Sequence, residues 1–356
     1  MIESKQHLKK IKRLNLDKDD RSIYLRLDKN EFVGSFPGNV FSNALSKITI
    51  FPNNKIIMYP EYGNLKKKIA KHTGTKPENV ILGNGSDTII KNIFEVYLDV
   101  TTRALITDPT FAMYPIYCKM FNVWETIEVK YKSLTEFPKE EFMKHIKSPV
   151  KKKIAVIINP NNPTGHAVDE EYLLEVIKEA QKRNILVVID EAYHYYYKKS
   201  MAKYVNKFDN LIVIRTFSKF FGLAGLRIGF ALAHPSIIEN LRKVQSTYPV
   251  DCVAVTFAEE ILNHSEIEKQ IYDKFIEGKK YIIGKLKSNN ITYHVEKGNF
   301  ILVKCDQKIV DKLKDARILV KGNFKQDILK DYIRVTIGDK EAMKTFWYHF
   351  ERYYND

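Results

Sequence analysis

The chain has 356 residues, of which 44% are hydrophobic and 28% are charged, with a formal net charge of +15. This length is sufficient for a large core and predicts one large domain with a smaller one beside it. Lysines scattered along the chain supply most of the positive charge, and no helix-turn-helix, RNA-binding or zinc-finger motif accompanies them. We therefore expect no nucleic-acid partner, and a charge that attracts anionic small molecules instead.

The cysteines and the apolar segments indicate the cellular compartment of the protein. Cys118, Cys252 and Cys305 lie far apart and form no CxxC pair, which argues against a disulfide framework or a zinc site and favours a reducing compartment. The basic N-terminal segment lacks the apolar stretch of a signal peptide. No 18 apolar residues run together, so no membrane span is expected. We predict a cytoplasmic protein without a metal site.

The first third of the chain predicts an arm followed by alternating elements. Residues 1–28 are polar and irregular, which is typical of an arm rather than a domain. Residues 62–72 have the apolar spacing of an amphipathic helix. A short strand is expected over residues 80–82, a tight loop over 83–87 and a helix over 88–98.

The middle of the chain continues this alternation. Continuous apolar runs at residues 153–159, 185–190, 211–216 and 226–233 predict strands that are buried on both faces. A helix with an acidic N-terminus is expected over residues 169–182. Strands and helices that alternate at this spacing predict a largely parallel α/β sheet covered by helices.

The pattern changes after about residue 249. We expect helices and short strands in the order of a smaller α+β domain: helices at 255–263 and 266–289, strands near 300–304, 318–321 and 332–336, and a final helix from 341. The predicted division is an arm over residues 1–28, a large domain over 29–249 and a small domain over 250–356. The arm is expected to complete the small domain.

Two of the motifs at predicted strand ends suit phosphate and amide chemistry, and ligands bind at such ends in open α/β sheets. Residues 83–87 (GNGSD) lead from a strand into a helix, where free backbone N–H groups and the helix dipole can hold a phosphate. Residues 159–165 (NPNNPTG) place asparagine amides between two prolines at a strand end. A purely structural turn is the alternative for each motif.

Two further motifs carry charged side chains at strand ends. Asp190 follows a buried apolar run, where a carboxylate requires a cation or a hydrogen bond, such as a protonated pyridine nitrogen, and a helix N-cap is the alternative. Lys219 lies in residues 216–229 (TFSKFFGLAGLRIG), just beyond another buried strand, and can form a Schiff base if its neighbours lower its pKa. Ser218 and Arg227 flank it and can hold a phosphate dianion.

Together these motifs resemble those of the class I/II aminotransferases of fold-type I, and most closely those of the histidinol-phosphate aminotransferase family. The similarity begins near residues 27–32 (LDKNEF) and includes Tyr59-Pro60, residues 110–114 (TFAMY) and residues 333–338 (IRVTIG). The resemblance implies a fold-type I transferase with a mostly parallel central sheet and a smaller α+β domain. It also implies pyridoxal 5'-phosphate as the cofactor.

The resemblance implies a role for each matching position around the cofactor ring. Lys219 carries the cofactor as a Schiff base and moves the proton at the substrate Cα. Asp190 pairs with the pyridine nitrogen and keeps it protonated. Tyr193 and Asn162 form hydrogen bonds to the ring's phenolic oxygen. Phe111 stacks on the ring face, where the family often has tyrosine, with core packing as the alternative.

The resemblance likewise implies residues for the phosphate, the substrate and the partner subunit. The phosphate group is expected on Ser86, Asp87, Ser218 and Arg227. Arg334 is expected to bind the substrate α-carboxylate with its planar fork, or else to form a structural salt bridge. Tyr59 is expected to reach the phosphate in the partner's site, which implies a homodimer with shared active sites, or else to be an ordinary surface tyrosine.

Asn30 and Lys321 complete the implied substrate site. The family usually has an arginine at the position of Lys321, where it helps to bind a substrate phosphate. Lysine keeps the charge and loses the bidentate fork. We therefore expect transamination between an amino donor such as glutamate and a small phosphorylated amino or keto substrate.

Two other functions remain open on this scaffold. Decarboxylases of phosphorylated threonine or serine share the lysine, the aspartate and the arginine, but cleave a different bond at Cα. The TFSK and GLAGLRIG spellings and Tyr193 favour transamination. A cofactor-binding regulator would need a preceding DNA-binding domain, for which 28 residues are too few.

Overall fold

The computed structural model describes residues 2–11, 20–49, 55–149 and 153–355, so residues 1 and 12–19 of the expected arm lie outside it. The strands are β1 (Leu25–Arg26), β2 (Val80–Asn84), β3 (Arg103–Asp108), β4 (Glu125–Lys130), β5 (Lys153–Ile158), β6 (Ile185–Asp190), β7 (Leu211–Thr216), β8 (Ile228–Ala233), β9 (Tyr293–His294), β10 (Phe300–Lys304), β11 (Ile318–Leu319) and β12 (Tyr332–Thr336).

The helices alternate with these strands. They are α1 (Val40–Thr49), α2 (Gly63–Thr73), α3 (Gly85–Tyr97), α4 (Met113–Met120), α5 (Lys139–Lys147), α6 (Glu170–Gln181), α7 (His194–Tyr197), α8 (Pro235–Arg242), α9 (Cys252–Asn263), α10 (Ser265–Ser288), α11 (Ile309–Asp315) and α12 (Lys340–Asn355). None of these described helices is both long and apolar enough to cross a membrane.

A seven-stranded sheet forms the centre of the molecule, in the order β2-β8-β7-β6-β5-β3-β4. Strand β8 is antiparallel to both of its neighbours, and the other pairs are parallel. Parallel strands end at the same edge, so the segments after β3, β5, β6 and β7 meet there. The predicted α/β class is therefore confirmed.

Helices cover both faces of this sheet because its strands are apolar on both sides. In β6, Val187 and Ile189 belong to the buried cluster on one face, and Val188 belongs to the cluster on the other. Helices α2, α5, α6 and α9 contribute to the first cluster, while α3, α4 and α8 contribute to the second. Side chains that alternate along a strand produce this two-sided burial.

A smaller unit follows the large sheet along the chain. Strands β12, β10 and β9 form an antiparallel sheet, and β1 pairs in parallel with β11. Their apolar side chains share a third buried cluster with α10, α11 and α12, which also includes Leu27. Within α10, the buried residues up to Ile271 belong to the large unit and those from Phe275 to the small one. The domain boundaries given above stay predictions.

Three differences from the expected element boundaries concern residues of the candidate site. Helix α3 begins at Gly85, inside the expected loop of residues 83–87, because a φ of +72° at Gly85 lets the chain turn directly from β2 into the helix. The expected strand from residue 226 begins at Ile228, after Arg227 with its φ of +49°. The expected strand of residues 318–321 ends at Leu319, and Lys321 forms only an isolated bridge to Arg334.

Candidate active site

A cavity of about 560 Å³ lies at the carboxyl edge of the large sheet and reaches the small unit. Eleven of the thirteen residues expected at the site line it: Ser86, Asp87, Phe111, Asn162, Asp190, Tyr193, Ser218, Lys219, Arg227, Lys321 and Arg334. They come from segments far apart in the chain, which the strand order brings to one edge.

One end of the cavity has the features of an anion site. A Cβ on Gly85 would lie 2.7 Å from Arg227 Nη2, so the guanidinium lies directly against the first turn of α3. Arg227 Nη1 also donates to Ser218 Oγ at 3.5 Å. A Cβ on Gly229 would lie 2.6 Å from the backbone nitrogen of Ser86, so the strand packs tightly under the helix start. The helix N-terminus, the guanidinium and the hydroxyls suit a phosphate.

Asp190 lies at the end of β6 on the cavity wall and is only 3% exposed. Its Oδ2 accepts a hydrogen bond from Tyr114 Oη at 2.8 Å, and its Oδ1 accepts one from the backbone N–H of Ala192 at 3.0 Å. Burial raises the pKa of Asp190 to about 6. The two donors oppose this effect because they stabilise the ionised carboxylate.

Lys219 lies just beyond β7. Its Nζ donates to the backbone carbonyl of Lys29 at 2.8 Å. Burial, and next the nearby guanidinium of Arg334, lower the pKa of Lys219 to about 8. An amine that loses its proton this readily is suited to attack an aldehyde.

Arg334 connects the small unit to the wall of the cavity. Its Nη1 donates to Asn162 Oδ1 and its Nη2 to the carbonyl of Asp28, both at 2.5 Å. Its Nε is buried without a protein partner. Burial lowers the pKa of Arg334, yet guanidinium groups remain charged in proteins. The fixed fork is suited to binding a carboxylate.

Lys321 is held beside Arg334 by two backbone hydrogen bonds. Lys321 N donates to Arg334 O at 3.0 Å, and Arg334 N donates to Lys321 O at 2.6 Å. The segment from Lys321 to Gln326 forms the rim of the cavity, and Gln326 Nε2 donates to Asp108 Oδ1 at 2.8 Å. Partial burial, followed by Arg334, lowers the pKa of Lys321.

Two expected residues lie outside the cavity of this chain. Asn30 is 1% exposed and lies behind Tyr193, donating from Nδ2 to Tyr193 Oη at 2.8 Å. Tyr59 is 75% exposed and stacks on Tyr248, with ring centroids 4.1 Å apart. Neither residue contacts the cavity in a single chain, so their expected roles stay predictions.

Sequence reasoning missed some residues at the site. Tyr114 belongs to the quoted residues 110–114, but no role was assigned to it, since its contact with Asp190 depends on how α4 packs. Lys325 and Gln326 line the rim without any motif. Their lysine and glutamine side chains resemble those of any solvated loop.

The described residues fit pyridoxal phosphate by their chemistry. The anion site at the start of α3 suits its phosphate, and the carboxylate of Asp190 suits a protonated ring nitrogen. Lys219 supplies an amine for its aldehyde. The buried Oδ1 of Asp87, on the cavity wall, accepts no hydrogen bond from the protein. These features are those of a site built for a polar ligand.

The chain is similar to known proteins over most of its length. The family described as aminotransferase class I and II matches residues 23–349. A histidinol-phosphate aminotransferase of Thermoanaerobacter sp. (strain X514) is 33% identical over 322 residues, which cover 89% of each chain.

Solved structures share the fold. The histidinol-phosphate aminotransferase of Sinorhizobium meliloti, in complex with pyridoxal-5'-phosphate, has a TM-score of 0.82 at 22% identity and covers 93% of this chain and 90% of its own. The L-threonine-O-3-phosphate decarboxylase of Porphyromonas gingivalis has a TM-score of 0.77 at 18% identity, with coverage of 93% and 99%. The predicted family, fold and cofactor are therefore confirmed: the chain belongs to the class I and II aminotransferases and is a pyridoxal-phosphate-dependent enzyme of fold-type I.

Proposed function

We propose that this aminotransferase exchanges an amino group between a donor such as glutamate and a small phosphorylated amino or keto substrate. The observation that carries the proposal is the backbone pairing of Lys321 with Arg334. This pairing holds an ammonium group beside the guanidinium that suits a carboxylate. A substrate with an anionic group at each end matches the two cations.

The side chains around the cavity have distinct roles in this proposal. Bound pyridoxal phosphate supplies an electron sink for negative charge at the substrate Cα. Lys219 holds the cofactor and afterwards carries the proton that leaves and returns at Cα. Asp190, as a carboxylate, accepts a hydrogen bond from the ring nitrogen and keeps that nitrogen protonated. Tyr193 and Asn162 orient the ring through its phenolic oxygen, and Phe111 covers one face.

Four residues hold the cofactor's phosphate in this proposal: Ser86, Asp87, Ser218 and Arg227. A carboxylate repels a phosphate dianion. We therefore assign to Asp87 a contribution from its backbone N–H in the first turn of α3 rather than from its side chain. Arg334 binds the α-carboxylate of the amino donor.

The substrate's phosphate is assigned to the rim. Lys321 and Lys325 both line it. Two ammonium groups can supply positive charge in place of a guanidinium, but they do not form its two parallel hydrogen bonds to a phosphate. The names of the relatives make histidinol phosphate the first compound to test. The change from arginine to lysine favours a shorter or differently placed anionic tail, as in phosphorylated three- or four-carbon compounds.

A substrate panel tests the proposal. The holoenzyme is mixed with glutamate, histidinol phosphate, phosphorylated three- and four-carbon amines and their unphosphorylated analogues, and cofactor absorbance and carbon dioxide are recorded. We expect loss of the visible absorbance of the bound cofactor without release of carbon dioxide. Phosphorylated compounds should exceed their analogues by about tenfold or more in kcat/KM, because a charge-assisted hydrogen bond is lost in the analogues.

A variant of Lys321 distinguishes the binding of the phosphorylated substrate from that of glutamate. Lys321→Ala should raise KM for the phosphorylated substrate more than that of glutamate, because a phosphate dianion gains more from the ammonium group than a carboxylate does. Lys330→Ala, at an exposed lysine outside the cavity, should alter neither. If histidinol phosphate is the best substrate, or if Lys321→Ala affects both substrates alike, the argument from the rim is wrong. Release of carbon dioxide would instead indicate a decarboxylase.

We also propose a cytoplasmic homodimer. Four consecutive residues have large, apolar and exposed side chains: Ile56, Ile57, Met58 and Tyr59. Exposed apolar patches of this kind commonly form protein interfaces. The cytoplasmic location is supported by three cysteines that are all free, as is usual in a reducing compartment.

A further inference from the structure

We propose that Tyr114, which does not line the cavity, is a positioning residue for the cofactor's ring nitrogen. Its hydroxyl holds the negative charge on Asp190, and the proton shared by Asp190 and the ring nitrogen therefore stays on the nitrogen. This inference rests on the proposed pairing of Asp190 with the ring nitrogen. It adds a residue from a different element to that pair.

The geometry leaves the Tyr114 hydroxyl little freedom. Tyr114 lies in α4 with 0% of its surface exposed, and its ring packs near those of Phe94 and Phe111 at 6.2 and 6.3 Å between centroids. Packing on several sides fixes the direction of its hydroxyl, which donates to Asp190 Oδ2 at 2.8 Å. A buried carboxylate gains more from such a donor than an exposed one does.

The hydroxyl can act only as a donor in this contact. Burial and the neighbouring charge of Asp190 raise the pKa of Tyr114 well above its ordinary value, so the phenol keeps its proton. Since the phenol is neutral, it stabilises the carboxylate without competing for the proton of the ring nitrogen.

The other groups around Asp190 do not duplicate this contribution. Glu191, the next residue, is buried against Arg215, whose Nε donates to it at 3.0 Å. Lys219 approaches from the segment after β7 and acts on Asp190 at a distance. Tyr193 follows on the same segment and forms its hydrogen bond with Asn30. Among the described elements, α4 is the one from which a side chain donates to Asp190.

The experiment compares two cofactors in the Tyr114→Phe variant. Apo-protein is titrated with pyridoxal phosphate and with its 1-deaza analogue, in which C–H replaces the ring nitrogen. Wild-type protein should prefer pyridoxal phosphate. In the variant this preference should fall by about tenfold, while the affinity for the analogue changes by less than about twofold, because the lost bond acts through the nitrogen.

Kinetics provide a second readout. In Tyr114→Phe holoenzyme, kcat should fall and KM should stay unchanged. The acid limb of the kcat profile should move to higher pH, because the carboxyl of Asp190 loses a donor that favours its ionised form. Tyr172→Phe is the matched control, since it removes another largely buried hydroxyl, one that donates to Lys139 O at 2.7 Å away from the cavity. It should alter neither the preference nor the profile.

A double variant removes any doubt about folding. In the Asp190→Asn background, Tyr114→Phe should have no further effect on the preference between the two cofactors. If Tyr114→Phe weakens both cofactors equally, or if its effect is the same in the two backgrounds, the proposal is wrong and the role is one of packing. If wild-type protein does not prefer pyridoxal phosphate, the pairing of Asp190 with the ring nitrogen itself fails.

Discussion

Asp190 lies where its carboxylate is suited to catalysis but lowers the free energy of unfolding. It is nearly completely buried, and burial raises its pKa from 3.8 to about 6. Between these values the folded protein binds more protons than the unfolded chain. The free energy of unfolding therefore decreases as pH rises from about 4 to about 6, and the loss is complete above that range.

Asp190→Asn should accordingly stabilise the apo-protein at pH 7.5 by on the order of 2–3 kcal/mol, because the amide has no charge to bury. The difference should shrink towards zero at pH 4. Urea unfolding of both apo-proteins at the two pH values measures it. The same variant should lose more than about tenfold in kcat, or about 1.4 kcal/mol, since a neutral amide cannot stabilise a protonated ring nitrogen. Equal stability at both pH values would show that the ionised carboxylate costs nothing.

Single residues differ in how far the sequence reveals them. The positions of Lys219 and Asp190 on the cavity wall were predictable. A charged side chain directly after a buried apolar strand rarely has a purely structural role. The contact of Tyr114 with Asp190 was not predictable, because it depends on the packing of α4 against the sheet. Asn30 lies behind Tyr193 in the single chain, and its expected role at the substrate stays a prediction. A sequence motif can indicate which residues lie near the site, whereas packing determines which of them face the cavity.

At the scale of elements, the start of α3 decides the shape of the anion site. The left-handed conformation of Gly85 turns the chain from β2 into the helix, and the absent side chain leaves room for Arg227. The sequence expectation of a phosphate-binding turn into a helix placed the helix start at residue 88 rather than at Gly85, since a glycine-rich sequence leaves the first helical residue undetermined. The expected bounds of α6 were closer to the observed ones, because Asp169 caps the N-terminus of this helix.

Gly85→Ala should weaken the affinity of apo-protein for pyridoxal phosphate by about tenfold or more, because the new Cβ displaces the guanidinium of Arg227 and strains the backbone. Gly284→Ala is the matched control. Gly284 lies exposed within α10, with no atom within 4 Å of an added Cβ, so its replacement should leave affinity unchanged and add about 0.5–1 kcal/mol of stability. Cofactor titration and urea unfolding measure both. An unchanged affinity in Gly85→Ala would contradict the assigned anion site.

At the scale of the whole molecule, one exposed surface is unusual. Ile57 and Tyr59 are 80% and 75% exposed, and Tyr59 stacks on Tyr248 from a distant part of the chain. Tyr59 does not line the cavity of its own chain, and the stacking on Tyr248 restricts the positions of its ring. This arrangement suits a residue that serves a second copy of the chain.

Ile57→Asp should therefore dissociate the proposed dimer, since a buried unpaired charge costs several kcal/mol. Light scattering and size-exclusion chromatography at several concentrations measure the mass, and the variant should lose cofactor affinity together with its partner. Val100→Asp places the same charge at another exposed apolar position and should leave the mass unchanged. A fully active wild-type monomer would disprove both the dimer and the assigned role of Tyr59.

The pairing of β1 with β11 joins segments that are almost 300 positions apart in the chain. Leu25 lies opposite Ile318, Leu27 O accepts from Thr336 N, and Asp28 O accepts from Arg334. During synthesis, residues 25–28 leave the ribosome well before their partners in residues 318–336 have been made. The large sheet can fold meanwhile from contacts closer in sequence. The guanidinium assigned to the substrate therefore reaches its final position only after both of these distant segments have been made and have paired.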